Sequence, residues 1–292
     1  MKKISLLLAW LIVFSLTACA QAGPQETEAP GDTTVPETTV EETTIEETTI
    51  EETTIEETTI EETTAPPTFT LYMPETMSVC APDGTVATTV VYTLEEGWEE
   101  KETFSAIGVA EIPGQGTLEL KTIYADRYTA SETPGVLQTE TYHDEQGRLI
   151  KTISVTHLNP NVDKTETLQT YDEHGRILTV ETRTYARGQA EPTVETVTYT
   201  YTDTDTGSKG TCDNRGMIQE LVYDRNYRQV ANITLVNGQE MSRNEFAFDE
   251  HGNTISQKQY VQGQLVMENR YTFIAVEVGA ATAARLPQFM GD

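Results

Sequence analysis

The chain has 292 residues, 47 of them acidic and 19 basic, for a formal net charge of −28 at neutral pH. Acid in such excess repels polyanions, which excludes nucleic acid and anionic lipid as partners. After the apolar run at the start of the chain, no stretch is apolar enough to cross a bilayer as a helix, so membrane association has to come from the N-terminus.

Lys2 and Lys3 precede an apolar run from Ile4 to Leu16 and the small-residue stretch Thr17-Ala18-Cys19-Ala20. These are the charged, apolar and cleavage regions of a signal peptide, here residues 1–18. The run falls short of the roughly 20 residues that a permanent span needs, so removal is expected. Leu16-Thr17-Ala18-Cys19 resembles the lipobox of bacterial lipoproteins. The resemblance implies diacylation of the Cys19 thiol, cleavage just before it, and a protein anchored by lipid on the extracytoplasmic face of the cell membrane. Two acyl chains hold stably where one holds marginally. Cys80 and Cys212 would then lie outside the cytoplasm, where a disulfide can persist. A bridge between them and a pair of buried thiols acting as small hydrophobes are both compatible with the sequence.

Residues 21 to 65 hold many acids and no base, and from Glu41 they settle into the period Glu-Glu-Thr-Thr-Ile. A period of five fits neither helix nor strand. Paired glutamates repel, Thr and Ile lose rotamer freedom in a helix, and the isolated Ile45, Ile50, Ile55 and Ile60 cannot offset the ordering entropy of so charged a segment. Residues 19–66 are therefore read as the lipidated cysteine and a disordered spacer, with a contour on the order of 140 Å at about 3.1 Å per residue.

Beyond the spacer the composition changes to alternating Thr, Val, Tyr and Leu broken by turn residues, and the expected fold class is all-β. Thr193 to Thr202 places Val194, Thr196, Thr198 and Thr200 on one face of a strand and Glu195, Val197, Tyr199 and Tyr201 on the other. An N-terminal β segment spans 67–134, with turns at Asp83-Gly84 and Gly114-Gln115-Gly116 and a soft boundary near Glu132 to Gly135. A meander of consecutive antiparallel hairpins fills 135–292.

Within that meander one turn recurs. Asp144 with Gly147, Asp172 with Gly175, Asp213 with Gly216, and Asp249 with Gly252 each form Asp-x-x-Gly between strand-like runs. Asp can hydrogen-bond the backbone two residues on, and Gly accepts the positive φ at which the chain re-enters the next strand. Tyr223-Asp224-Arg225-Asn226-Tyr227 sets Tyr where Gly is expected, which predicts a turn of another type. Asn237-Gly238 and Gln262-Gly263 signal further hairpins. The pattern resembles the YD repeats of RHS-type bacterial surface and toxin proteins, over roughly residues 137 to 278, with Tyr171 to Ile177 as the best copy. The resemblance implies the strand architecture and a surface setting. With so few copies it does not imply a shell enclosing a toxin.

Chemical motifs are sparse. His143, His174 and His251 sit in the Asp-x-x-Gly turns and His157 ends a strand; a metal site would need several of them to converge, and none is expected. Asp203-Thr204-Asp205-Thr206-Gly207 is similar to the opening of a calcium loop but lacks the third acid, so a polar loop is expected there. No nucleophile motif and no cofactor motif occurs. Two functional readings follow. The first is a non-catalytic binding or structural module that meets a glycan or protein partner through a sheet face, using the many tyrosines. The second is an exported hydrolase-like enzyme on a β scaffold, which requires a pocket with converging carboxylates or histidines.

Overall fold

The computed structural model describes residues 67–291 apart from 115, 157 and 158. The signal peptide, Cys19, the whole spacer and His157 lie outside the described residues. Seventeen strands make one antiparallel sheet: β1 (Thr68–Cys80), β2 (Val86–Leu94), β3 (Phe104–Ile112), β4 (Gly116–Ala125), β5 (Tyr128–Thr133), β6 (Leu137–His143), β7 (Leu149–Thr156), β8 (Val162–Tyr171), β9 (Ile177–Ala186), β10 (Thr193–Thr198), β11 (Thr200–Thr204), β12 (Gly207–Asn214), β13 (Met217–Tyr223), β14 (Gln229–Val236), β15 (Gln239–Phe248), β16 (Thr254–Val261) and β17 (Gln264–Gly279). A short helix, α1 (Ala280–Arg285), and a 3-10 turn at Pro287–Phe289 follow.

Short connections make each strand pair with its neighbour in sequence. β10 and β11 are separated only by Tyr199: β10 bonds β9, β11 bonds β12, and the Tyr199 N–H donates to the Leu178 carbonyl at 2.9 Å. β1 pairs with both β2 and β17, so the sheet returns on itself as a near-closed barrel. Closure leaves few unpaired edges to template association. Pairing runs without a break through β4, β5 and β6, so the boundary expected near Glu132 to Gly135 divides no structure. Strand alternation works as expected in β10 and β11: Val197, Tyr199 and Tyr201 pack with Ile177, Cys212, Leu221 and Tyr223 on the inner face.

The recurrent turn has a definite chemistry. In Asp172–Arg176, Asp172 Oδ1 accepts the N–H groups of His174 at 3.0 Å and Arg176 at 2.9 Å, while Oδ2 accepts Arg176 Nε at 2.7 Å. Asp144 and Asp249 make the same set, with Asn253 Nδ2 replacing the guanidinium in the latter. Gly147, Gly175 and Gly252 lie at φ 76°, 76° and 80°. Two copies differ from expectation. Asp224 forms the identical turn, and Tyr227 adopts φ 58° in place of Gly, held by stacking on His174 at 4.6 Å. Asp213 does not: its hairpin is a two-residue turn, Arg215-Gly216 at φ 56° and 85°, with Asp213 accepting only the Gly216 N–H among the turn amides.

The four true copies lie at one end of the barrel, the end at which β1 begins and β17 finishes. The C-terminal segment folds back across that end. Thr282 Oγ1 donates to the Glu99 carbonyl at 2.9 Å, the Arg127 N–H donates to the Arg285 carbonyl at 2.7 Å, and Met290 bridges to Leu71. Leu286 and Phe289 thereby complete a core with Leu71, Met73, Trp98, Phe104 and Tyr124. A second core joins Met77, Val79, Val90, Met267 and Tyr271. Cys80 and Cys212 are buried free thiols in different strands, so the bridge left open by the sequence is not made.

A Cβ on Gly147 would meet the Pro287 carbonyl at 2.8 Å, whereas one on Gly238, at a similar φ of 75°, would meet nothing within 4 Å. Gly238→Ala should therefore cost about 1 kcal/mol of backbone strain alone. Gly147→Ala should cost at least roughly twice that, because backbone must also move. Urea denaturation of the two variants tests this; equal losses would mean that the C-terminal segment is not seated on the β6–β7 turn.

Candidate binding surface

The tyrosines expected to offer exposed aromatic faces do not lie free on the surface. Every described tyrosine is buried or half-buried. For Tyr171 and Tyr201 the reason lies in the turns. The guanidinium held by Asp144 sits 5.0 Å from the Tyr171 ring, that held by Asp172 lies 4.3 Å from Tyr201, and that held by Asp224 lies 5.2 Å from Phe248. Tyr171 and Tyr201 donate their hydroxyls to the Leu149 and Ile177 carbonyls, at 2.6 and 2.5 Å. Burial raises the pKa of both phenols. These rings join one hairpin to the next and are structural.

An aromatic and charged array lies half-exposed on the outer face across β5 to β9, and a smaller one centred on Arg243 and Tyr260 lies across β15 to β17. Directly paired residues share a face, and two rows cross the wall at β5 to β9. Tyr128 pairs Tyr142, Tyr142 pairs Lys151, Lys151 pairs Leu168 and Leu168 pairs Glu181. Alongside run Glu140, Ile153, Glu166 and Arg183. Lys164 and Tyr185 pair next to the second row. The inner face of the same strands carries Thr139, Thr141 and His143 instead.

The side chains of this wall are fixed by one another. The Tyr128 and Tyr142 rings lie 5.0 Å apart, Lys151 Nζ is 5.6 Å from the Tyr142 ring, and the Tyr142 hydroxyl donates to Glu140 Oε2 at 3.0 Å. Lys164 Nζ lies 4.3 Å from the Tyr185 ring and donates to Glu166 at 2.8 Å, while the Tyr185 hydroxyl donates to the other Glu166 oxygen at 3.1 Å. Arg183 Nε donates to Glu181 at 2.7 Å. Although it faces outward, Glu166 is only 7% exposed. The ammonium of Lys164 holds its pKa below the ordinary value, and the carboxylate in turn raises that of Lys164. Half-exposed ion pairs of this kind contribute roughly 0 to 1 kcal/mol each, so their effect is positional more than stabilising. They keep three carboxylates, three cations and three rings in a preset arrangement.

The other residues singled out by sequence are dispersed. His174 stacks on Tyr227 and His251 on Tyr72, while His143 is buried and its pKa is pushed down to about 4 by desolvation. Among the described residues, no three His, Cys, Asp or Glu side chains are placed to hold a metal ion. Asp203 and Asp205 flank the β11–β12 turn, where Arg176 donates to the Asp203 carboxylate and Arg225 to the Asp205 carbonyl. Sequence reasoning missed Lys151, Lys164, Glu140 and Glu166. The only available signal was their alternation with Thr, which fixes a face without revealing which strands lie side by side.

No family model and no curated protein matches the chain. Among solved structures, a porin-like protein from Bacteroides uniformis is 8% identical, with 69% of this chain and 96% of that one covered at a TM-score of 0.36. A Bacteroides fragilis protein, described as exported and as having a YmcC-like fold, is 9% identical over 70% of this chain and 99% of that one, at a TM-score of 0.29. At these scores neither similarity establishes a common fold or activity.

Burial, followed by the hydrogen bond to Glu140, raises the Tyr142 pKa from 10.0 to about 12. The folded state then holds a proton that the unfolded chain has lost, so this contribution is complete below pH 10 and disappears as pH rises toward 12. Tyr142→Phe should soften the fall in melting temperature over that window. Identical slopes for the two proteins would show that the phenol is not held in this way.

Proposed function

We propose that this protein is a lipid-anchored lipoprotein of the cell surface, held at Cys19 and set off from the membrane by residues 19–66, whose barrel binds an uncharged glycan through the outer wall at β5 to β9. The observation that carries this reading is the make-up of that wall: Tyr128, Tyr142 and Tyr185 beside Glu140, Glu166 and Glu181 and the cations Lys151, Lys164 and Arg183, with Glu132 exposed at the β5 edge. On a chain of net charge −28, a patch so near to charge balance favours a neutral partner. Sugar rings offer flat C–H faces to aromatics and hydroxyls that donate and accept, which suits rings bordered by both carboxylates and cations. Because the long side chains are already tied down, binding them costs less ordering entropy. The lipobox-like Leu16-Thr17-Ala18-Cys19 supports the anchor, and the recurrence of the Asp-centred turns supports the likeness to YD repeats.

Two experiments test this. On a glycan array, the purified chain should retain neutral glycans, with Tyr142→Ala and Tyr185→Ala each weakening binding about tenfold, the loss of a stacked ring. Tyr260→Ala, on β16 and outside that wall, should leave binding unchanged; no retained glycan, or equal loss in all three variants, would refute the surface. Separately, Cys19→Ser should release the protein into the medium or stall its processing, and membrane retention of that variant would rule out lipid anchoring.

A further inference from the structure

On the inner side of the barrel, beneath the C-terminal segment, lies a cavity of about 60 Å³. Its walls come from β1, β2, β4, β5, β6 and β17, and its roof from Gln288 and Phe289. It is separate from the outer wall proposed to bind glycan. None of its ten lining residues carries a formal charge at neutral pH. Thr122, Ser131 and Thr141 present hydroxyls, and Tyr124 and Phe289, 5.4 Å apart and edge-to-face, present apolar ring surface.

Gln288 is the group that needs an explanation. It is 4% exposed, it lines the cavity, and neither its Oε1 nor its Nε2 has a hydrogen-bond partner. A buried amide whose NH2 and carbonyl oxygen are both unmet is rare in folded proteins. Nothing in local geometry forces it inward: the Pro287–Phe289 turn also places Phe289 in the core, and an apolar side chain at 288 would have avoided the cost of burying an unpaired amide.

We propose that this cavity is a binding site for a small uncharged vicinal diol, recognised by Gln288. Adjacent hydroxyls match the amide as a pair, one donating to Oε1 and the other accepting from Nε2. A single water needs roughly 10 to 15 Å³ of such space, so the cavity suits a molecule of about four to six non-hydrogen atoms. The carbon chain of the diol faces Tyr124 and Phe289. An anion of the same size is rejected, because no cation lines the walls to meet its charge. Since Gln288 belongs to the C-terminal segment, occupancy ties that segment to the barrel wall and steadies the cap.

The test is titration of the purified chain with glycerol, followed by saturation-transfer NMR and by amide exchange across Leu286–Met290, with lactate as the charged match. Saturable glycerol binding, slower exchange in that segment and no response to lactate are expected. Gln288→Leu should weaken binding at least roughly tenfold, while holding or raising the melting temperature because an unpaired buried amide is removed. If that variant does not fold, Thr141→Val replaces it, with the same expected direction. Absence of saturable binding, or equal binding in the variant, would overturn the proposal and leave water as the occupant.

Discussion

The structure depends on one carboxylate used four times. In each copy, the Asp that opens the turn accepts two backbone N–H groups with one oxygen and the side chain four residues on with the other. The first two bonds fold five residues into a loop of fixed length. The third aims Arg148, Arg176 or Arg228 inward, over an aromatic ring belonging to a neighbouring hairpin. A local turn signal is thereby converted into a contact between successive hairpins, and the meander acquires a defined curl. Cation–π contacts at partly buried sites are worth about 1 to 2 kcal/mol, so a ladder of them matters in a sheet with small cores.

This coupling explains what the sequence made legible and what it hid. Asp172, Gly175 and the preceding Tyr171 were visible because their spacing is local. The purpose of Arg176 was not, because its partners Tyr201 and Tyr227 lie 25 and 51 residues further on. Tyr227 shows the limit of residue-type rules: stacking on His174 and the Arg176 guanidinium nearby hold a non-glycine residue at positive φ, so a sequence that lacks Gly still makes the turn. Asp213 shows the converse. It has the spacing, but Arg215-Gly216 suits a two-residue hairpin and lies at the other end of the strands, where pairing continues to Asn214 and Met217 and the turn closes on two residues. The outer wall was illegible for a related reason, since pairing of Glu140 with Ile153 and of Ile153 with Glu166 is a property of register.

The C-terminal segment settles a problem that hairpins alone leave open. A wide barrel built from Thr-rich strands has few large side chains to fill its interior, and the turns at one end would otherwise enclose space. Leu286, Phe289 and Met290 bring apolar bulk to that end, and Gly147 admits the Pro287 backbone because it has no Cβ. The glycine therefore meets two demands, a positive φ and a close approach, while Gly238 meets only the first.

The distribution of charge completes the picture. Among the described residues, the buried polar side chains are almost all Thr, Ser, Gln and Asn, with Glu166 and His143 as the two ionisable members. Desolvation holds His143 neutral at ordinary pH, and Lys164 compensates Glu166, so neither leaves an unpaired charge in a region of low polarity. The described residues thus keep their excess of acid on the solvated surface and reserve hydroxyls and amides for the inside. The outer wall at β5 to β9 and the cavity under Gln288 follow the same division: one sets acids beside cations, the other has no charged residue in its lining. The two proposed sites would therefore take uncharged ligands, for which hydrogen-bond geometry and ring contact, and not long-range attraction, set recognition.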